Sequence, residues 1–433
     1  MRGCEWQIGL FGTFDVENYG DLLFPLVAEA ELSRRLGPVK LHRFSYHART
    51  PPDWPYEVTS LTQLPQMVSR LDGILIGGGF IIRFDKQVAP GYGPPTPAIH
   101  HPTGYWLTPA LMALQHDIPL IWNAPGMHCN DIPAWAEPLI ELALAHSRYI
   151  TVRDKLSQAA LARFVDDARI TVLPDTAFGL SRLLDERRPS VELGRLRELS
   201  GLTDPYIVVQ PIRGLESFLQ FIKNHSRHLR GFRFLVLPIG PVLGDHEAIV
   251  GDDLPGVVHL PEWPHPLLLA ELISQAAAVI GRSYHLAITA LAFGVPVFSS
   301  ADLSVGKYTS LEGFETIYPL PDETEMDPHL FITRLGKTRP SPEACATLDQ
   351  LDHHWDHIAT ILHEGATETQ SELNRFWQSL PNLLEAASDH SGTLKNRIDE
   401  LSALVATLHN SPSWKATAPL RFLMRRLKRL VGK

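Results

Sequence analysis

The chain has 433 residues, 44% of them hydrophobic, enough to bury two cores of ordinary size. Its net charge of −9 argues against a general nucleic-acid binder, which needs a broad basic face, and Cys4, Cys129 and Cys345 are too few and too scattered for a disulfide framework or a zinc ribbon. No stretch approaches the roughly eighteen apolar residues of a membrane span, and MRGCEWQIGLFGTF lacks the apolar core of a signal peptide, so the cytoplasm is the expected compartment.

From the N-terminus, Gln7 to Phe11 reads as a strand, followed by a glycine-rich loop and an amphipathic helix that begins near Asp21 and stops at Gly37. A strand, a loop carrying Asn18 and then a helix N-terminus make a crevice suited to an anion or a sugar. Val39 to Phe44 is a second strand. In the third, DGILIGGGFII (72–82), Gly77, Gly78 and Gly79 either let backbone approach a ligand closely or form a tight turn. The proline-, glycine- and histidine-rich stretch from Phe84 to Thr103 is irregular, placed where an acceptor-binding loop could reach over the crevice. The alternation continues through a helix (Leu107 to His116), a strand (Pro119 to Asn123), a helix (Ala134 to Ala145) and a strand (Tyr149 to Val152). At that strand's end stand Arg153 and Asp154, an ion pair or a ligand contact, with Ser157 in the helix that follows. A strand from Ile170 to Phe178, with Asp175 at its carboxyl end, closes the first half, and the charged stretch Leu184 to Asp204 connects the halves.

The second series runs through a strand (Tyr206 to Pro211) with Arg213 just past its end, a helix (Ser217 to Leu229), strands at Arg233 to Pro238 and Val257 to Leu260, and a helix (Pro266 to Ala277). It culminates in VIGRSYHLAITALAFGVPVFSS, where Arg282, Ser283, Tyr284 and His285 fall between a strand end and a helix N-terminus, the usual place of a ligand in a parallel sheet. The expected architecture is α/β: two doubly wound, Rossmann-like domains facing a cleft, an acceptor-side domain at 1–184 and a donor-side domain at 205–340. A helical extension at 343–433 follows, with helices at Glu343 to His363, Thr367 to Leu380 (stopped by Pro381) and Thr393 to Leu408. His353 and His357 stand four apart on the first of these, but with no third partner the spacing reads as a solvated face rather than a zinc site. In the final stretch Arg421, Arg425, Arg426, Lys428, Arg429 and Lys433 alternate with Phe422, Leu423, Met424, Leu427 and Leu430, which suits either an anionic membrane surface or packing against protein.

From Gln7 to Pro319 these pieces together resemble the polysaccharide pyruvyl transferase family: the loop Asn18, Gly20, Asp21; the turn Gly77 to Gly79; the unit Arg153, Asp154, Ser157; the strand end Pro174, Asp175, Ala177, Phe178; the unit Ser283, His285, Ala290, Gly294, Pro296; and Lys307. One departure is that many members carry an arginine two residues before the histidine, where this chain has Ser283 and places Arg282 one position earlier. The ending SPSWKATAPLR is similar to tails that follow many bacterial surface-polysaccharide glycosyltransferases. The resemblance implies a GT-B-like fold and transfer of pyruvate from phosphoenolpyruvate to a sugar as a ketal; no metal and no further cofactor are expected.

A donor with a carboxylate and a phosphate on three carbons calls for a helix N-terminus and several cations, so Arg213, Arg282, Ser283, His285 and Lys307 are the donor-binding candidates. His285 is the candidate acid, or a phosphate ligand; Asp21 is the candidate base, or a helix cap. Asn18, Gly78, Gly79 and Arg153 are expected to line the cleft on the acceptor side. The expected partners are phosphoenolpyruvate, a sugar or lipid-linked oligosaccharide, and an anionic surface at the inner face of the cytoplasmic membrane through 413–433, with no nucleic acid. A nucleotide-sugar glycosyltransferase of GT-B type is the alternative enzyme, and an inactive pyruvyl-transferase-like scaffold subunit is the alternative from another class.

Overall fold

Short apolar runs pair in parallel to build two sheets in the computed structural model, which describes residues 5–84, 102–127, 132–184, 189–251, 254–320, 327–365 and 370–417. The first sheet comprises β1 (Trp6–Phe11), β2 (Val39–Ser45), β3 (Thr59–Ser60), β4 (Gly73–Gly77), β5 (Leu120–Asn123), β6 (Tyr149–Val152) and β7 (Ile170–Val172), in the order β3-β2-β1-β4-β5-β6-β7. The second comprises β8 (Tyr206–Val209), β9 (Arg233–Val236), β10 (Val257–His259), β11 (Ala278–Gly281), β12 (Val297–Ser299) and β13 (Ile317–Pro319), in the order β10-β9-β8-β11-β12-β13. Helices cover both faces of such sheets, so their strands are apolar throughout: Ile74, Leu75, Ile76, Leu120, Ile121 and Trp122 are fully buried. In each sheet the strand order reverses once, between β1 and β4 and between β8 and β11, and a crevice opens beyond the carboxyl ends at that point. This is the two-domain, doubly wound architecture expected from the sequence.

Two helices bring the crevices together. Tyr19–Leu36 is capped by Asn18, whose side chain accepts from the Gly20 N–H, and it ends at Gly37 with φ +85°. Tyr284–Ala292 is capped by Ser283, which accepts from the Leu286 N–H. The buried Tyr19 and Thr289 hydroxyls hydrogen-bond at 2.9 Å, and the Tyr19 N–H donates to the Ile239 carbonyl at 2.9 Å, so the first helix of one domain is tied to the second domain. An unpaired hydroxyl at this depth would be costly, which makes the pairing specific.

Three local readings differ from the structure. The strand expected over Ile170 to Phe178 stops at Val172; Asp175 instead caps the short helix Thr176–Arg182 by accepting from the Ala177 N–H, a geometry that competes with strand pairing. The connecting stretch contains a helix, Val191–Ser200, held through the Ser190 N–H and hydroxyl on the Glu271 carboxylate at 3.1 and 2.5 Å. Pro381 does not end a helix, because Gln370–Asn410 runs straight through it. The helix formers on both sides, Leu380, Leu383, Leu384, Glu385 and Ala386 among them, outweigh the local cost of about 3 kcal/mol.

The structure also divides the C-terminal region differently. Pro342–Glu364 belongs to the compact unit Met1–Leu373, whereas Asn374–Lys433 forms a second. Leu351, Trp355, Ile358, Ile361 and Leu362 are buried in the first unit's core, and the bare Cα of Gly73 makes room for Leu362. Arg34, Arg35 and Arg182 converge on Asp352 at 2.6, 2.9 and 2.5 Å, and together hold its carboxyl well below the usual range despite desolvation. The histidine that matters on this helix is neither His353 nor His357 but buried His354, with Nε2 2.8 Å from Asn123 Oδ1; burial holds its imidazole down to about 3, so it stays neutral. His357 packs edge-on against Tyr149. Among the described residues no helix is long and apolar enough to cross a membrane. The basic stretch from Arg421 onward, and most of the expected acceptor loop (85–101), lie outside the described residues.

Candidate functional site

The carboxyl ends of β1, β4 and β6 face those of β8, β9 and β11 across a cleft of about 780 Å³. Nine of the ten residues singled out in the sequence line it: Asn18, Asp21, Gly79 and Arg153 from the first domain, and Arg213, Arg282, Ser283, His285 and Lys307 from the second. The tenth, Gly78, serves packing: at φ +69° it lies against the Phe24 ring, where any Cβ would collide. Asp21 lies in the first turn of its helix while Asn18 does the capping, which leaves the carboxylate on the cleft wall.

Arg153 leaves the end of β6 and is almost fully buried, its guanidinium lying 3.8 Å from the Phe80 ring centroid. Its closest carboxylate is not neighbouring Asp154, which is 4.0 Å away and caps the next helix through the Ser157 N–H, but Asp175, where Nη1 donates to Oδ2 at 3.3 Å. Nε and Nη2 are buried with no hydrogen-bond partner among the described residues. A buried guanidinium with two unsatisfied donors is costly in isolation and favours an anion. Gly126 permits the placement, since a Cβ there would sit 2.6 Å from Nε.

The same Asp175 oxygen lies 3.6 Å from His285 Nε2. Burial alone would push the Asp175 carboxyl up, but the His285 imidazole and the Arg153 guanidinium outweigh it and hold the group below its ordinary value. The His285 ring packs edge-on to Phe24 and directly over Gly20, where a Cβ would collide with it. A glycine in the first helix thus sets the position of a histidine in the second domain.

Lys307 approaches from the other side. Its Nζ lies 5.4 to 5.5 Å from the ring centroids of Phe80, Tyr284 and Tyr308, which suit a cation, yet burial and the nearby Arg153 charge hold the ammonium down to about 8. Beneath Arg282 and Ser283, Gln210 at the end of β8 organises the loop: its Oε1 accepts from both backbone N–H groups at 2.9 and 2.8 Å, while its Nε2 donates to Asp245 at 2.9 and 3.1 Å. Asp245 in turn accepts from the N–H groups of Ile239 and Gly240, and burial keeps its carboxyl raised despite them.

Asp175, Gln210, Asp245 and the rings of Phe80 and Tyr308 were not among the sequence candidates for the site. Asp175 carried a signal in its P-D-x-A-F context; Asp245 sits in an ordinary-looking loop and carried none. Chemically, the arrangement offers a cationic receptor for a compact polyanion (Arg153, Lys307, Arg282, Arg213) beside a histidine backed by a carboxylate, the combination needed to hold a proton at a defined place.

Comparison with known proteins adds three findings. The family model described as polysaccharide pyruvyl transferase matches residues 18–301, which takes in every site residue named above except Lys307 and Tyr308. No curated protein matches the chain in sequence. Similar solved structures include a UDP-GlcNAc 2-epimerase from Neisseria meningitidis (13% identity, 88% of this chain and 99% of that one, TM-score 0.50) and one from Methanocaldococcus jannaschii (12% identity, 84% and 100%, TM-score 0.52). At these identities the likeness is one of fold, consistent with the GT-B-like arrangement of the two domains.

Proposed function

Since the chain belongs to the polysaccharide pyruvyl transferase family, we propose that it transfers pyruvate from phosphoenolpyruvate to a sugar of a bacterial surface polysaccharide or its lipid-linked precursor. The observation that carries this reading is Arg153: buried, with two donors unpartnered among the described residues, beside Lys307 and across from Arg282 and Arg213. In the proposed reaction these cations hold the donor's carboxylate and phosphate. His285, kept in place by Asp175 and Gly20, delivers a proton to the methylene carbon, which becomes the methyl group and leaves the adjacent carbon electron-poor. A sugar hydroxyl adds there, its proton passing to Asp21, and phosphate departs. A second hydroxyl of the same sugar adds to the carbon that phosphate has left, its proton returning to His285, and closes the ketal.

Phosphoenolpyruvate is expected to stabilise the folded chain by about 2.7 kcal/mol at a hundredfold excess over its Kd, read as a rise in melting temperature. The N. meningitidis epimerase was solved with UDP-GlcNAc, which makes that nucleotide sugar the natural competitor. Protection by UDP-GlcNAc and none by phosphoenolpyruvate would overturn the donor assignment in favour of a glycosyltransferase.

The lipid-linked acceptor rests on the six cations between Arg421 and Lys433, interleaved with large apolar side chains. Each well-placed cation contributes about 1 kcal/mol at an anionic surface, and added salt screens it. Removing Ser413 to Lys433 is expected to abolish salt-sensitive sedimentation with anionic liposomes while turnover of a free acceptor sugar stays nearly unchanged. Equal sedimentation of the shortened chain would place any membrane contact elsewhere.

A further inference from the structure

The helix Gln370–Asn410 keeps a row of large apolar side chains in solvent: Leu394, Ile398, Leu401, Val405 and Leu408 are each 47 to 61% exposed. Their spacing is 4, 3, 4, 3, a repeat of 3.5 residues, which drifts by only about 20° per heptad and so lays the five side chains in one narrow stripe, the seam of a two-stranded coil. The choice of residues narrows the partner further. In heptad register Ile398 and Val405 occupy the a positions and Leu394, Leu401 and Leu408 the d positions, and β-branched a with leucine d favours two parallel strands.

We propose that this helix pairs in parallel, in register, with the same helix of a second copy of the chain. From Ile398 to Leu408 flanking charges permit it: across such a pair the residues that face one another at the edges there are Arg397 with Ser402 and Leu404 with His409, with no like-charged pair between them. Arg397 is already engaged with Glu400 on its own helix at 2.8 Å. The seam also sets the strength of the dimer. Complete burial of such a side chain removes about 60 to 120 Å² of apolar surface. Five half-exposed seam residues and the adjoining Leu404, counted on both helices, then offer roughly 400 to 700 Å², below the ~1,200 Å² of a standard stable interface. The dimer is therefore a reversible one. Sixteen residues follow the last described residue, Thr417, and they hold the six cations; parallel pairing makes both copies of this segment leave the same end of the rod, so one membrane contact favours the other by proximity.

The test uses the full chain. Its mass by sedimentation equilibrium should approach twice 48.3 kDa at about 100 μM and fall toward one chain on dilution. Leu401→Glu, at an exposed position outside the cleft, should weaken association at least tenfold and leave melting temperature and turnover unchanged. With Cys4, Cys129 and Cys345 replaced by serine, Val405→Cys at an a position should cross-link rapidly under mild oxidant, whereas Asn396→Cys on the outer face should not. A single-chain mass at about 100 μM would overturn the proposal, as would a dimer insensitive to Leu401→Glu or equal cross-linking at both cysteine positions.

Discussion

Replacing His285 with glutamine is expected to lower turnover by about 10² to 10⁴-fold while donor affinity changes little, the effect of removing a positioned proton donor. The geometry makes this separable from a folding defect. Glutamine keeps most of the volume that packs over Gly20 and against Phe24, its amide can donate toward the Asp175 carboxylate 3.6 Å from the imidazole, and Arg153 still pairs with that carboxylate, so it is not left alone. Asp175→Asn is the companion variant: it keeps the shape but removes the negative charge near the imidazole and also strands the buried Arg153 guanidinium, so it should lower the melting temperature as well as turnover, which His285→Gln should not. Rapid-mixing turnover together with donor titration of the same variants separates the two roles. If His285→Gln instead loses donor affinity with turnover per bound donor preserved, the histidine is a phosphate ligand and the acid lies elsewhere.

Arg153→Lys should weaken phosphoenolpyruvate binding by roughly a hundredfold or more, because charge-assisted hydrogen bonds contribute about 1.5 to 3 kcal/mol each and a lysine cannot present two parallel donors. Lysine rather than alanine is the informative choice, since removing the positive charge would leave Asp175 uncompensated in the interior and unfold the site. Lys307 adds a pH signature. Its ammonium, held near 8 by burial, is present below that pH and lost above it, so donor affinity should fall as pH rises through about 8, by up to tenfold per unit. Binding above pH 8 should be accompanied by proton uptake, because the donor's negative charge restores the ammonium. Lys307→Met should bind more weakly and lose the inflection. Calorimetric titrations from about pH 6 to about 10 decide this: an affinity flat across that range, in the native chain, would remove Lys307 from the donor site.

Which features were legible in the sequence follows from the range of the forces involved. Strand and helix order comes from short-range patterns. Doubly buried parallel strands read as continuous apolar runs, and helix ends are marked by residues whose effect is confined to one turn, such as Asn18, Ser283, Gly37 and Gly294. Those signals sufficed to place two doubly wound domains and to name eight residues that line the cleft, most of them through the strand-end rule, while Lys307, the ninth, came from the family resemblance alone. Where a single residue's preference competes with its context the local rule failed, as at Pro381, whose break signal is overridden by the run of helix formers around it.

Tertiary structure decided the pairings. Arg153, Asp175 and His285 come from three separate elements, and only the docking of the helix Tyr284–Ala292 against Gly20 and Phe24 sets the histidine beside the aspartate. The lowered ammonium of Lys307 reflects burial, which no property of lysine or its neighbours in sequence foretells. Gln210 and Asp245 matter because β8, β9 and β11 end side by side, so that one amide can meet two backbone N–H groups and one carboxylate. Composition and periodicity act over a few residues and determined the elements; the site's charges and hydrogen bonds act through space, and close only when chain segments far apart in sequence are brought within about 4 Å in the fold.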